Sequence, residues 1–247
     1  MNKGVVKITS DVALEDWPDF PEAAIEEGSR GQRGVALFED PSCSVGVWGA
    51  LPNKTAPLKF TYTEYMVILG GGMVIVDQAT GQSRAFKQGD CCLVPAGFQF
   101  RWQQSEEIKK VYFVVEEDPS ADSAPSRGPV SLADASPSLS TLSSESLTYA
   151  TTYRDRTARF SAGLLSASPA ETHPALRPWP RTELLHVSEG QLLVQHQCAG
   201  EIRLEVVNRR DSVLIPAGVS ASIIAGGSTL AQAYFAAAQT QSNPAKL

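Results

Sequence analysis

The sequence predicts an all-β protein made of two small barrels in tandem. Three observations predict it: a long internal repeat, short apolar runs divided by turn residues, and no long segment of helical period. The repeat sets "TEYMVILGGGMVIVDQATG" over "TELLHVSEGQLLVQHQCAG". Thr63, Glu64, Gly71 and Gly81 fall opposite Thr182, Glu183, Gly190 and Gly200 at one offset. After a two-residue insertion, "GDCCLVPAGFQF" meets "RDSVLIPAGVSA", with Asp90, Pro95, Ala96 and Gly97 opposite Asp211, Pro216, Ala217 and Gly218. Tyr112 in "VYFVV" then falls opposite Tyr234 in "AYFAA". A repeat this long is a doubled domain, because solenoids repeat at a shorter period.

Each copy is built from runs such as "MVIV", "CCLVPAG", "VYFVV", "LLHV", "QLLVQ" and "SVLIPAG". Short strands at close spacing with Gly and Pro punctuation read as a sandwich or barrel. In "PAG" a strand turns sharply, and the glycine takes up the unusual backbone angles. Between the copies lies a stretch dominated by serine, proline and alanine, "DPSADSAPSRGPVSLADASPSLSTLSSES". "VVKITSDVALEDW" near the start resembles "PVSLADASPSLSTL", with Val6 and Ile8 opposite Val130 and Leu132. The expected division is therefore a first barrel at 1–117, a linker at 118–129 and a second barrel at 130–247.

The composition narrows the function. The 247 residues are 43% hydrophobic and 19% charged, enough to bury a good core. A net charge of −6 without a basic cluster argues against a nucleic-acid partner. The first twenty residues lack the apolar core of a signal peptide, and no apolar run is long enough to span a membrane. The four cysteines, Cys43, Cys91, Cys92 and Cys198, fit neither a disulfide framework nor a zinc site. The expectation is a cytoplasmic protein with reduced thiols and a small-molecule ligand. A doubled domain mimics a symmetric dimer, and a homodimer of the whole chain is admitted as a further partner.

The repeated residues resemble those of the cupin superfamily (RmlC-like), whose first motif closes with a glutamate, six residues and a glycine. Glu64 to Gly71 and Glu183 to Gly190 both fit. The second motif runs Gly, five residues, Pro-X-Gly, two residues, His. Gly89, Pro95 and Gly97 fit it; in the second copy Pro216 and Gly218 fit, but Arg210 stands for the glycine. The first copy is also similar to the ethanolamine-utilisation and ureidoglycine-related subgroup, through the "TEY…LGG…GD…VPAGF…W…KK.Y" run from Thr63 to Tyr112. The resemblance implies two double-stranded β-helix (jelly-roll) barrels, a bicupin. It also implies, in metal-binding members, three histidines beside the glutamate. Here the histidine positions fall at Leu58 and Phe60, or Pro57 and Lys59, with Phe100 as the third. In the second copy they fall at Arg177 and Trp179, or Leu176 and Pro178, with Ala221. None is histidine. His173, His186 and His196 lie elsewhere, so no metal and no other cofactor is expected.

Alternation places Leu58, Phe60, Tyr62, Glu64, Met66 and Ile68 on one inward face, with Phe98, Phe100, Trp102 and Gln104 from the second motif. Phe60, Tyr62, Glu64, Phe100, Trp102 and Gln104 are the ligand-binding candidates of the first barrel. Glu64 is the only ionisable residue among these inward positions, so it needs donors, a cation or a proton. Tyr62 and Gln104 are the expected donors. In the second barrel Arg177, Trp179, Arg181 and Glu183 share one parity, as an anion site or as a structural Arg181–Glu183 contact. Two roles for Glu64 stand open, a structural remnant and a ligand-site residue. On the second, the expected function is binding of a small polar metabolite in the first barrel. An amine-bearing or neutral polar metabolite is preferred there over a carboxylate or phosphate, because ring faces add about 0.5–2 kcal/mol each to a bound cation while an anion meets like charge. The alternatives are an isomerase, lyase or aminohydrolase with Glu64 as catalytic acid or base, and a metalloenzyme with atypical ligands.

Overall fold

The structure, a computed structural model, describes residues 4–116, 129–132, 140–143, 146–155 and 159–239. It divides into an N-terminal unit, Ser10–Glu39 with Cys43–Ala135, and a C-terminal unit, Met1–Thr9, Asp40–Ser42 and Ser136–Leu247. Apart from Pro129, the linker expected at 118–129 lies outside the described residues.

In the N-terminal unit one antiparallel sheet runs, in spatial order, Val130–Ser131, Cys91–Val94, Tyr62–Gly70, Ile108–Glu116, Cys43–Ala50, Gln32–Asp40 and Glu15–Trp17. The second runs Ser83–Lys87, Gly72–Asp77, Gln99–Gln104, Asn53–Thr55 and Ile25–Gly28, with Leu58–Lys59 also on Gln99–Gln104. Met66, Ile68, Cys92 and Val94 from the first sheet pack with Met73, Ile75, Phe86, Phe100 and Trp102 from the second. Tyr62–Gly70 is an interior strand of its sheet, third of seven, and is buried on both faces, which is why "TEYMVILG" reads as nearly continuous apolar sequence.

The C-terminal unit repeats the plan. One sheet runs Val6–Ile8, Ser212–Ile215, Thr182–Glu189, Ala231–Ala238, Phe160–Ala167, Leu147–Arg154 and Ser140–Ser143. The other runs Arg177–Pro178, Ser220–Ala225, Gln191–Cys198 and Glu201–Asn208. Leu165, Leu185, Val213, Ile215 and Phe235 meet Leu192, Val194, Ala221 and Ile223 between them. The paired motifs do the same work in both copies. Thr63 Oγ1 accepts from the Ala96 amide at 3.1 Å and Thr182 Oγ1 from the Ala217 amide at 3.2 Å. The Gly97 amide donates to the Phe60 carbonyl and the Gly218 amide to that of Trp179, each at 2.8 Å. The threonine before each glutamate thus pins the "PAG" turn against the glutamate's strand. Arg210 keeps the left-handed conformation of the glycine it replaces, φ 73° against 90° at Gly89.

The short strands flanking the repeats are exchanged. Val6–Ile8 pairs with Ser212–Ile215, and Val130–Ser131 pairs with Cys91–Val94. The expected division assigned Val6 to the first repeat and Val130 to the second, and the hydrogen bonds give each to the other. Alternation specifies which way a strand's side chains face, and says nothing of which sheet edge it joins.

His186 is buried in the Thr182–Glu189 strand, its Nδ1 2.9 Å from Ser212 Oγ. Burial pushes its pKa from 6.5 down to about 4, against a weaker upward pull from Asp211. Between these values the unfolded chain takes a proton that the folded chain refuses. Stability is therefore expected to fall as pH drops from 6.5 towards 4, by roughly 3 kcal/mol from this group. Urea titrations across that window check it, and His186→Gln should flatten this part of the profile.

Candidate functional site

The strand Tyr62–Gly70 delivers Glu64 to the wall of a cavity of about 410 Å³ in the N-terminal unit. Phe60, Tyr62, Glu64 and Trp102 line it, together with Trp17, Phe20, Trp48, Lys110 and Tyr112. The decisive partner is Lys110. Its Nζ donates to Glu64 Oε1 at 2.7 Å and to Met66 Sδ at 3.0 Å, and both charged side chains are 6% exposed. The same ammonium lies over the rings of Trp48 at 4.8 Å and Trp102 at 4.7 Å. The two indoles are held edge to face by their own hydrogen bonds, Trp48 Nε1 to Gln32 Oε1 at 2.9 Å and Trp102 Nε1 to Gln104 Oε1 at 2.7 Å.

This corrects the premise behind the amine expectation. Glu64 is not alone: the cation that its burial and the rings call for is a side chain of the same unit. Gln104 is corrected too. Its amide donates to the Ala50 and Leu51 carbonyls at 2.9 and 2.7 Å, so it braces Trp102 instead of serving Glu64. Phe100 is fully buried and packs edge-on against Phe60 at 4.8 Å, behind the cavity lining. Tyr62 stacks on Phe60 at 4.6 Å; burial, then the charge of Glu64, raises its pKa, so it stays a phenol donor. The missed residue had a signal. In "IKKVYFVV" alternation must turn one of two adjacent lysines inward, on the face of Tyr112.

In the C-terminal unit Arg177, Trp179, Arg181 and Glu183 do line one cavity, of about 700 Å³, with Tyr149. Glu183 is 1% exposed; Trp179 Nε1 donates to its Oε2 at 3.0 Å and the Tyr149 hydroxyl at 3.4 Å. Arg181 lies 3.5 Å from Oε1. Burial raises the pKa of Glu183, and Arg181 is the chief opposing influence.

The three-histidine metal site of related folds does not fit these residues. Phe60 and Phe100 hold two of the ligand positions with rings in contact, and Lys110 presents a positive charge to the glutamate. Among the described residues no cluster of three His, Cys, Asp or Glu could hold a metal ion. His186 is tied to Ser212, and His173 Nδ1 lies 3.3 Å from Ser222 Oγ.

Residues 39–112 match the model of the EutQ-like cupin domain. Among curated proteins none matches the chain. A protein with unknown function of the DUF861 family from Pseudomonas syringae pv. tomato superposes with a TM-score of 0.70 at 18% identity, covering 95% of this chain and 99% of that one. Oxalate decarboxylase from Lactobacillus farciminis, in a formate complex, gives 0.54 at 14% identity over 97% and 87%. Streptomyces albus HEPD, with 2-hydroxyethylphosphonate and Fe(II) bound, gives 0.58 at 10% identity over 98% and 77%. At these identities the likeness is one of fold, and it spans both repeats: the chain has the cupin fold in the two-domain arrangement of the bicupins.

Proposed function

We propose that this bicupin is an enzyme of proton transfer, acting on a small carbonyl compound in the N-terminal unit with Glu64 as base and Lys110 as electrophile. The observation that carries the reading is the Glu64–Lys110 pair on the wall of an aromatic cavity. A buried ion pair holds two opposite charges ready where bulk water would otherwise weaken both. The ammonium polarises a carbonyl oxygen of the bound molecule. Glu64 takes a proton from the adjacent carbon through the carboxylate oxygen not given to Lys110. The C–H electrons become the enolate π bond and the negative oxygen rests on Lys110; in an α-hydroxy carbonyl compound the hydroxyl proton then passes to that oxygen, and return of the carbon-bound proton to the former carbonyl carbon, as the hydroxyl-bearing carbon becomes the new carbonyl, completes an isomerisation. Tyr62, a neutral phenol on the same wall, is the second donor for a substrate hydroxyl. The oxalate decarboxylase and HEPD are proteins of this fold that bind small oxygen-rich molecules, which supports a ligand of that size. Their metal chemistry is not carried over, because the residues here do not fit a metal.

Deuterium exchange tests this without knowledge of the product. Protein in D₂O is incubated with small aldehydes, ketones and keto acids, and loss of the α-proton signal is followed by NMR. At least one compound is expected to exchange faster than in buffer, and Glu64→Gln should slow it by about 10²–10⁴-fold. Lys110→Met should slow it comparably while leaving the fold intact by circular dichroism. Exchange across the series no faster than buffer, or equal in wild type and folded Glu64→Gln, would sink the reading. The pair would then be structural.

A further inference from the structure

The C-terminal cavity is built differently from the N-terminal one, and the difference concerns charge. We propose that it is a separate binding site for a small organic carboxylate with an apolar body. This does not rest on the proton-transfer reading, since the two cavities share no lining residue among the described residues.

Among the described residues of the lining the charged side chains are Arg177, Arg181 and Glu183, two cations against one acid. Trp179 and Tyr149 donate to Glu183 Oε2 while its buried Oε1 accepts no hydrogen bond, and burial favours the protonated form, which leaves less negative charge to answer the two guanidinium groups. Arg181 is held in place by rings, its guanidinium carbon 5.1 Å from the Tyr149 centroid and 5.4 Å from that of Phe235. Its polar contacts are long, 3.5 Å to Glu183 Oε1 and 3.4 Å to Ser161 Oγ. Good N–H···O bonds span about 2.7–3.2 Å, so the guanidinium is positioned while much of its donor capacity is unspent. Arg177 is exposed and has no acidic partner among the described residues. Lys110 of the N-terminal unit is the contrast, its ammonium committed to Glu64 at 2.7 Å.

A planar guanidinium with free donors matches a carboxylate in a two-point contact. The rest of the wall calls for an apolar body: Leu147, Tyr149, Trp179 and Ile223 face the cavity, and its volume of about 700 Å³ holds a ring with room to spare. Pro174, Pro178 and Pro180 stiffen the rim, which lowers the ordering cost of binding. These features favour a carboxylate on an apolar frame over a bare inorganic anion.

The test uses the full chain, ¹⁵N-labelled at tryptophan, with benzoate and inorganic phosphate as probes. The indole signals of Trp17, Trp48, Trp102 and Trp179 are assigned by single Trp→Phe variants. Benzoate is expected to shift the Trp179 signal saturably and to leave Trp48 and Trp102 in place. Arg177→Ala, an exposed change that leaves the core untouched, should weaken that binding at least tenfold, and phosphate should bind more weakly than benzoate. Three outcomes overturn the proposal: no saturable shift at Trp179, unchanged affinity in Arg177→Ala, or phosphate binding as tightly as benzoate. A shift at Trp48 or Trp102 in place of Trp179 also overturns it, and places the carboxylate in the N-terminal cavity.

Discussion

Lys110→Ala is expected to destabilise the N-terminal unit by about 3–5 kcal/mol, the usual cost of removing one partner from a buried ion pair. The physical reason is the environment of Glu64. Its carboxylate is 6% exposed, and its 2.7 Å bond to Lys110 supplies the opposite charge. Without the ammonium it must stay charged in apolar surroundings or take up a proton. Removing both charges in Lys110→Met with Glu64→Gln should cost much less than either change alone, since apolar or neutral replacements spare both desolvation penalties. The vacated place then becomes an ammonium site: a glutamate, the faces of Trp48 and Trp102, and a cavity the width of a lysine side chain. n-Butylammonium is expected to raise the melting temperature of Lys110→Ala and to leave wild type unmoved. Urea denaturation and thermal shift measure both effects. A Lys110→Ala protein as stable as wild type would show that the pair contributes nothing net, and equal amine response in the two proteins would refute the built-in-cation account.

Gly71→Ala is expected to be far more damaging than the matching Gly190→Ala, although both glycines close the same sequence motif. Both sit in the left-handed region, at φ 69° and 72°, where an added Cβ costs roughly 1–2 kcal/mol. At Gly190 the added atom would meet Ala231 Cα at 3.1 Å, a contact that small shifts relieve. At Gly71 it would lie 2.2 Å from the Glu107 carbonyl oxygen, a backbone atom that cannot turn aside. Overpacking of that kind adds roughly 1–3 kcal/mol, which makes a total of about 2–5 kcal/mol at Gly71. The carbonyl belongs to the residue before Ile108–Glu116, the strand that carries Lys110, so the damage reaches the candidate site. Equal losses in the two variants would mean that the turn before Ile108 moves freely, against the geometry described.

Much of this was legible in the residues. Glu64 and Glu183, each followed by a turn glycine and each preceded by a threonine that pins "PAG", could be matched across the repeat because turn chemistry and alternation act over a few residues. The absence of histidine at Leu58, Phe60 and Phe100 was visible for the same reason, as was the joint placement of Arg177, Trp179, Arg181 and Glu183. The pairing of Glu64 was not. Lys110 lies 46 residues away, and which of Lys109 and Lys110 turns inward depends on a register shift between them in the ladder with Tyr62–Gly70. Gln104 shared the parity of Glu64 yet spends its amide on Ala50 and Leu51, partners more than fifty residues distant.

By itself, then, the sequence determined a doubled β architecture, the turns that end its strands and the glutamate set in each copy, all consequences of short-range periodicity and backbone stereochemistry. The tertiary structure alone decided three things: that Val6–Ile8 and Val130–Ser131 join each other's sheets, that Glu64 is answered by Lys110 between two indoles, and that Arg181 lies over the rings of Tyr149 and Phe235. Strand alternation specifies the face a side chain takes, while its partner is chosen by the register of strands far apart in the chain, where burial makes a charge find its opposite.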